Sequence, residues 1–195
     1  VVAAILGIFV FSRPKPVVAM TLPTPNGYDD FLVAARMTGK AAPGDFKVAT
    51  KFELEEFLKA EKERLERTHA GLLKECVVPV TNAPAFIQAH IEELAGLKAL
   101  ARLLEIEARV AEMNGQIGAA VSAYLNLIRY GQAVGRGGLL VDRLVGISCE
   151  KIGVNGLFGV HQKLAADECI RLIKELEKIE ARAGEMQAKI GRAHV

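Results

Sequence analysis

At 195 residues the chain is long enough for one core, or two small ones, burying about 70% of its unfolded surface. It is 51% hydrophobic with a mean hydropathy of +0.22, which excludes a disordered segment. The net charge of +2, with acids and bases interleaved, carries no footprint for nucleic acid, and Cys76, Cys149 and Cys169 are too few and too irregular for a disulfide framework or a zinc cage. Abundant Ala, Leu, Glu and Lys with only 6% aromatics is helical composition.

The run Val1 to Phe11 (VVAAILGIFVF) is apolar throughout. Crossing a bilayer takes about 20 such residues, so residues 1–11 are expected to be the C-terminal half of a membrane anchor or signal segment. The alternative is a buried N-terminal strand or helix. Residues 12–25 contain Pro14, Pro16, Pro23 and Pro25, lack periodicity and read as a linker. They hold no Ala-x-Ala cleavage pattern, which favours an uncleaved anchor. Arg13 and Lys15 argue for a cytoplasmic flank, a vote that charge upstream would reverse. The expectation is a membrane-anchored domain on the extracytoplasmic side.

The helical domain is expected over residues 26–188. Asn26 is a fair N-cap for a helix from Tyr28 to Thr38, with Asp29 and Asp30 in its first turn and Gly39 as its stop. Thr50 and Glu53 fit a capping box. The helix they open is expected to reach about Cys76, with Phe57, Leu58, Leu65, Leu72 and Leu73 inward and the run from Glu61 to Arg67 outward. Val77 to Val80 reads as extended, and Thr81-Asn82 as the cap of a helix with Pro84 in its first turn. Gly96 suggests a bend. Beyond it Leu97, Leu100, Leu104, Ala108 and Ala111 form one stripe, widened by Leu103 and Val110, until Asn114-Gly115 stops the helix.

The next helix is expected from Gln116 to about Val134, with Ala120, Tyr124, Leu127 and Ile128 inward. Gly131 to Gly138 reads as a glycine-rich bridge or hinge into a helix from Leu139 to about Leu164. There Leu140, Leu144, Ile147, Val154 and Leu157 alternate with Gly146, Gly153, Gly156 and Gly159. Bulky Leu140, Leu144, Ile147 and Val154 around Gly146 and Gly153 suit close helix approach rather than solvent exposure. Glycines cost about 1 kcal/mol each in a lone helix, so their persistence predicts a backbone pressed against a neighbour, with Ala120 and Ala123 as the expected contacts. A last amphipathic helix starts near Asp167, with Cys169, Leu172, Ile173, Leu176 and Ile179 inward. The tail Lys189 to Val195 (KIGRAHV) resembles the translation of a sequencing-library adapter and breaks the helical pattern, which would set residues 189–195 aside as an artefact and leave the domain incomplete.

No catalytic, cofactor-binding or metal-ligating residue emerges from these patterns. Gly131 to Gly138 lacks the lysine and the preceding strand of a phosphate loop. His69, His90 and His161 stand at no ligand spacing from one another or from a cysteine, and His69 and His90 fall on largely polar faces. Cys149 and Cys169 read as small core residues. Ser122 and Ser148 lie inside helices rather than on a nucleophile elbow. The acids of Asp29-Asp30 and Glu92-Glu93 are adjacent and diverge, so neither pair makes a glycosidase dyad.

Leu104, Ala108, Gly115, Ala120 and Tyr124 fall at spacings that resemble a tetratricopeptide-repeat hairpin, although Leu127 stands where a small residue is usual and no second copy recurs. Three further blocks are Pro25 to Leu32 (PNGYDDFL), Ala119 to Arg129 (AAVSAYLNLIR) and Gly131 to Asp142 (GQAVGRGGLLVD). Together they resemble a group of membrane-anchored helical proteins of planctomycete-type bacteria. That resemblance, over Leu22 to Ala188, implies a single N-terminal anchor before an all-helical domain, and no activity or ligand. The expected fold is therefore all-α, an antiparallel bundle or hairpin array. The expected function is a structural or interaction module of the cell envelope, its partners a membrane and another protein. The alternative is an envelope hydrolase or ligand-binding protein completed by further sequence.

Overall fold

A computed structural model describes residues 22–193 except 41, 45, 47, 82 and 84, with side chains through Ala183. Among these residues the chain forms seven α-helices and no strand: α1 (Gly27–Arg36), α2 (Lys51–Ala60), α3 (Lys62–Leu72), α4 (Phe86–Met113), α5 (Ile117–Gly135), α6 (Leu140–Val160) and α7 (Ala166–Ala193). The all-α fold expected from composition and periodicity is the one observed. None of the described helices is long and apolar enough to cross a membrane. The expected anchor, residues 1–11, lies outside the described residues, as do most of the linker, Asn82, Pro84 and His194.

Local signals set several helix boundaries. Asn26 Oδ1 accepts the Tyr28 amide at 3.2 Å and opens α1. Thr50 Oγ1 accepts the Glu53 amide at 3.3 Å while Glu53 Oε2 accepts the Thr50 amide at 2.8 Å, the reciprocal box expected for α2. Gly115, at φ 71°, turns α4 into α5. Gly96 does not bend α4, which is continuous; a Cβ there would sit 2.8 Å from that of Ala35, so the glycine lets α1 approach.

The helix expected from Thr50 to Cys76 is two helices, broken at Glu61. Glu61 and Arg64, expected on the outside, are buried. Arg64 Nη1 donates to Glu61 Oε2 at 2.6 Å, Arg64 Nε donates to the Ala34 carbonyl at 3.1 Å, and Glu61 also accepts the Lys40 amide. The inward pair thus satisfies backbone groups at the end of α1 and in the loop after it, which a solvent-facing helix could not reach. Leu73, expected inward, is 89% exposed because α3 has already ended.

α4 is the axis of the core. Its stripe packs with Tyr28, Phe31, Leu127 and Tyr130 at one end, and its Ala108 and Ala111 join Ala120, Tyr124 and Ile128 at the other. A third side, Leu103, Ile106 and Val110, takes Phe46, Leu54 and Phe57. α4 and α5 thus form an antiparallel hairpin, and α6 lies back along α5.

The contact between α5 and α6 is a glycine crossing. A Cβ on Gly146 would stand 2.4 Å from the Gly131 carbonyl oxygen, and one on Gly153 would stand 2.7 Å from Ile128 Cγ1 and 2.8 Å from the Tyr124 carbonyl oxygen. The expected burial of both glycines against this helix is observed, but their partners are Gly131, Tyr124 and Ile128 rather than Ala120 and Ala123. Gly131 and Gly135 accordingly belong to α5, and the supposed bridge shrinks to Arg136 to Leu139. Leu140, Leu144, Ile147 and Val154, expected inward beside the glycines, are exposed, because the glycine face and not the bulky face meets α5. On α7, Ile179 is buried while Ile173 is exposed and Cys169 half-buried. α7 runs to Ala193, so residues 189–193 do not interrupt it as the adapter reading expected.

Candidate functional site

Two regions carry chemistry beyond ordinary packing: a sealed polar junction under α1, and a cleft between α4 and α6. The junction is built from sequence blocks far apart in the chain. Asn26 Nδ2 donates to the Val77 carbonyl at 2.8 Å and its Oδ1 accepts the Val77 amide at 3.1 Å. The neighbouring Val78 amide donates to the Arg136 carbonyl at 2.9 Å. The segment Cys76 to Val80, which turns at Pro79 where the Val80 amide donates to the Val78 carbonyl at 2.9 Å, is therefore a strap with the Asn26 block on one side and the Arg136 block on the other. Among the described residues it pairs its backbone with loops and no strand forms.

Beneath the strap, His90 Nε2 donates to Asp142 Oδ1 at 2.7 Å, and both side chains are almost wholly buried. The Phe86 ring stacks on the imidazole at 5.0 Å, and Glu93 Oε2 lies 3.7 Å from Nδ1. Asp142 also accepts the Leu139 amide at 2.6 Å, so one carboxylate caps α6 and fixes a histidine of α4. Gly138 leaves room for it: a Cβ there would be 2.4 Å from Asp142 Oδ2. Tyr28 completes the junction. Its hydroxyl is buried without a hydrogen-bond partner among the described residues, and burial, then the charges of Asp142 and Glu93, push its phenol well above the ordinary range.

A His–Asp pair beside a tyrosine has the makings of an acid–base centre, but this one admits no substrate. Tyr28 and Asp142 are 0% exposed and His90 2%. The histidine was expected on a polar face, and it is polar only towards Asp142 and Glu93. Its signal in the sequence was the apolar periodicity it shares with Leu94 and Leu97; the partner Asp142, 52 positions on, had none.

The other sequence candidates are separated. His69 Nε2 pairs with Glu107 at 3.0 Å, which raises the imidazole pKa. His161 Nδ1 donates to the Phe158 carbonyl at 2.6 Å at the end of α6. Ser122 and Ser148 donate back to the Gly118 and Leu144 carbonyls. Burial pushes the thiols of Cys76 and Cys149 up to about 12, far from a reactive thiolate. Asp30 is buried and paired with Arg67 and Lys74 while Asp29 is exposed, so that acidic pair diverges. Among the described residues, no group of three His, Cys, Asp or Glu is placed to hold a metal ion.

The cleft is open. It holds about 350 Å³ between Lys98, Arg102 and Glu105 of α4 and Val141, Leu144, Val145, Ser148 and Ile152 of α6, with Ala101 and Cys149 at its lining. Alongside it α6 exposes Leu140 (77%), Leu144 (55%), Ile147 (47%), Val154 (38%) and Phe158 (71%). At spacings of three, four and seven these fall on one face. No protein-family model, curated protein or solved structure matches the chain.

Proposed function

We propose that this domain is a helical interaction module of the cell envelope, held at a membrane through residues 1–11 and presenting the outer face of α6 to another protein. The exposed stripe from Leu140 to Phe158 carries the reading. Isolated surface leucines are ordinary, but five large apolar side chains in line on one helix are the kind of patch that marks a contact. The buried polar groups, by contrast, are spent on holding α1, α4 and α6 together. The α4–α5 hairpin, with its resemblance to a tetratricopeptide unit, supports a protein-binding scaffold by analogy. The apolar run Val1 to Phe11 supports the anchor.

A second reading, small-molecule binding, draws on the cleft. The protein reading is preferred because the apolar surface continues along α6 well past it, to Phe158. The test is a photoreactive phenylalanine analogue at Phe158, with Phe52 (72% exposed, on α2) as control, in cells producing the full-length protein. The expected result is a discrete adduct at Phe158 in the membrane fraction, mapped by mass spectrometry to another polypeptide, and none at Phe52. Recovery of the protein wholly in the soluble fraction would remove the anchor, and equal labelling at both sites would remove the interaction face.

A further inference from the structure

We propose that the cleft between α4 and α6 receives an amphipathic helix of a partner protein whose flank carries carboxylates. This rests on the interaction-module reading and adds the partner's chemistry. One wall of the cleft is mainly apolar, with Val141, Leu144, Val145 and Ile152 around Ser148. The other carries Lys98 and Arg102, one turn apart on α4. Lys151 stands on α6 between Ile147 and Val154 of the stripe.

Charge decides what fits. Lys98, Arg102 and Lys151 have no ion-pair partner among the described residues, and Arg102 instead lies 5.0 Å over the Phe46 ring. Other surface cations are paired, Arg36 with Glu93, Lys62 with Glu66, Arg129 with Glu175 and Arg143 with Glu150, and those without an ion pair among the described residues, such as Lys40, Lys163 and Lys174, do not line the cleft. The acid on the cleft wall, Glu105, is already engaged. An apolar furrow bordered by unmatched cations is complementary to a helix with apolar residues at spacings of three and four and acids beside them. The cleft lining on α6, from Val141 to Ile152, spans 11 residue steps, about 17 Å at the helical rise, which is three turns of such a partner, and Leu144 joins it to the exposed stripe.

Other occupants fit less well. Residues 1–25 of the chain contain no acid to meet these cations. Two copies joined through α6 would bring like charges together. An anionic lipid surface would satisfy the cations, but it is flat, and the cleft is concave.

The probe is a synthetic amphipathic helix of about 18 residues, leucine on one face and glutamate on the flank, with a twin carrying lysine for glutamate. Binding to the full chain is read by fluorescence anisotropy, at low and high salt. The acidic peptide should bind saturably and the basic twin about tenfold more weakly or worse, with the difference shrinking at high salt. Lys98→Glu with Arg102→Glu should reverse the preference. Leu144→Ser with Ile147→Ser should abolish binding of both, and because all four side chains are exposed or half-exposed, an unchanged thermal melt shows the fold intact. Equal binding of the twins, or none, overturns the proposal. So does binding of phosphatidylglycerol vesicles without peptide binding, or a concentration-dependent dimer lost in the Leu144→Ser variant. An adduct at Phe158 together with peptide failure removes only this partner chemistry; absence of the adduct removes the interaction reading itself.

Discussion

Asp142 shows how much one side chain can hold in this chain. It caps α6, fixes the His90 ring and lies within electrostatic reach of Tyr28. Asp142→Ala strips a buried imidazole of its partner and α6 of its cap, and should cost about 3 kcal/mol or more in chemical denaturation. Asp142→Asn keeps an acceptor and should cost less. Tyr28→Phe tests the opposite case. Its hydroxyl is buried with no partner among the described residues, so removal should leave stability unchanged or raise it by about 1 kcal/mol. A clear loss would mean that the hydroxyl is bonded after all. None of these pairings was visible in the sequence, because residues 28, 90 and 142 approach only after α1, α4 and α6 have packed.

Helices, in contrast, announce themselves locally, and their glycines report what they touch. Gly146 and Gly153 face backbone and a packed isoleucine at under 3 Å from any added Cβ, whereas Gly159 on the same helix meets nothing within 4 Å. Gly146→Ala and Gly153→Ala should therefore each destabilise by about 1–3 kcal/mol through overpacking. Gly159→Ala should stabilise by up to about 1 kcal/mol, since alanine is the better helix former where space is free. Thermal melts of the three variants decide it, and a common sign would defeat the crossing geometry. The periodicity placed glycines and bulky residues on α6 correctly but made both groups inward. A helix so rich in both has two faces that read as core, and only one can meet α5.

At the scale of the whole molecule, α4 gathers the other helices, and its charged edge adds a pH-dependent tie to α3. The hydrogen bond to Glu107 raises the pKa of His69 above its ordinary 6.5, against a smaller opposing effect of burial. A raised pKa means that the folded state holds the proton more tightly. The stabilisation is thus complete below about pH 6.5 and fades as the pH rises through the folded-state pKa. The stability advantage of the parent over His69→Gln should follow that course in denaturation series from pH 5 to 9; a gap constant with pH would show that His69 titrates alike in the folded and unfolded chain. His69 is about a third exposed, so the effect is modest.

The sequence by itself determined the helical class and several helix boundaries: the Asn26 cap, the Thr50–Glu53 box, the Gly115 stop and the stripe from Leu97 to Ala111 act within a few turns, and their energetics need no distant partner, whereas the break at Glu61 and the continuity of α4 through Gly96 depended on packing. Its three cysteines and its net charge of +2 are likewise fixed by the sequence, since composition survives any folding. Only the tertiary structure decided that Glu61 and Arg64 turn inward, that His90 meets Asp142, and that the bulky face of α6 stays uncovered. Burial is a property of what lies opposite, and a polar residue or an apolar stripe looks the same in the sequence whichever neighbour arrives, or none.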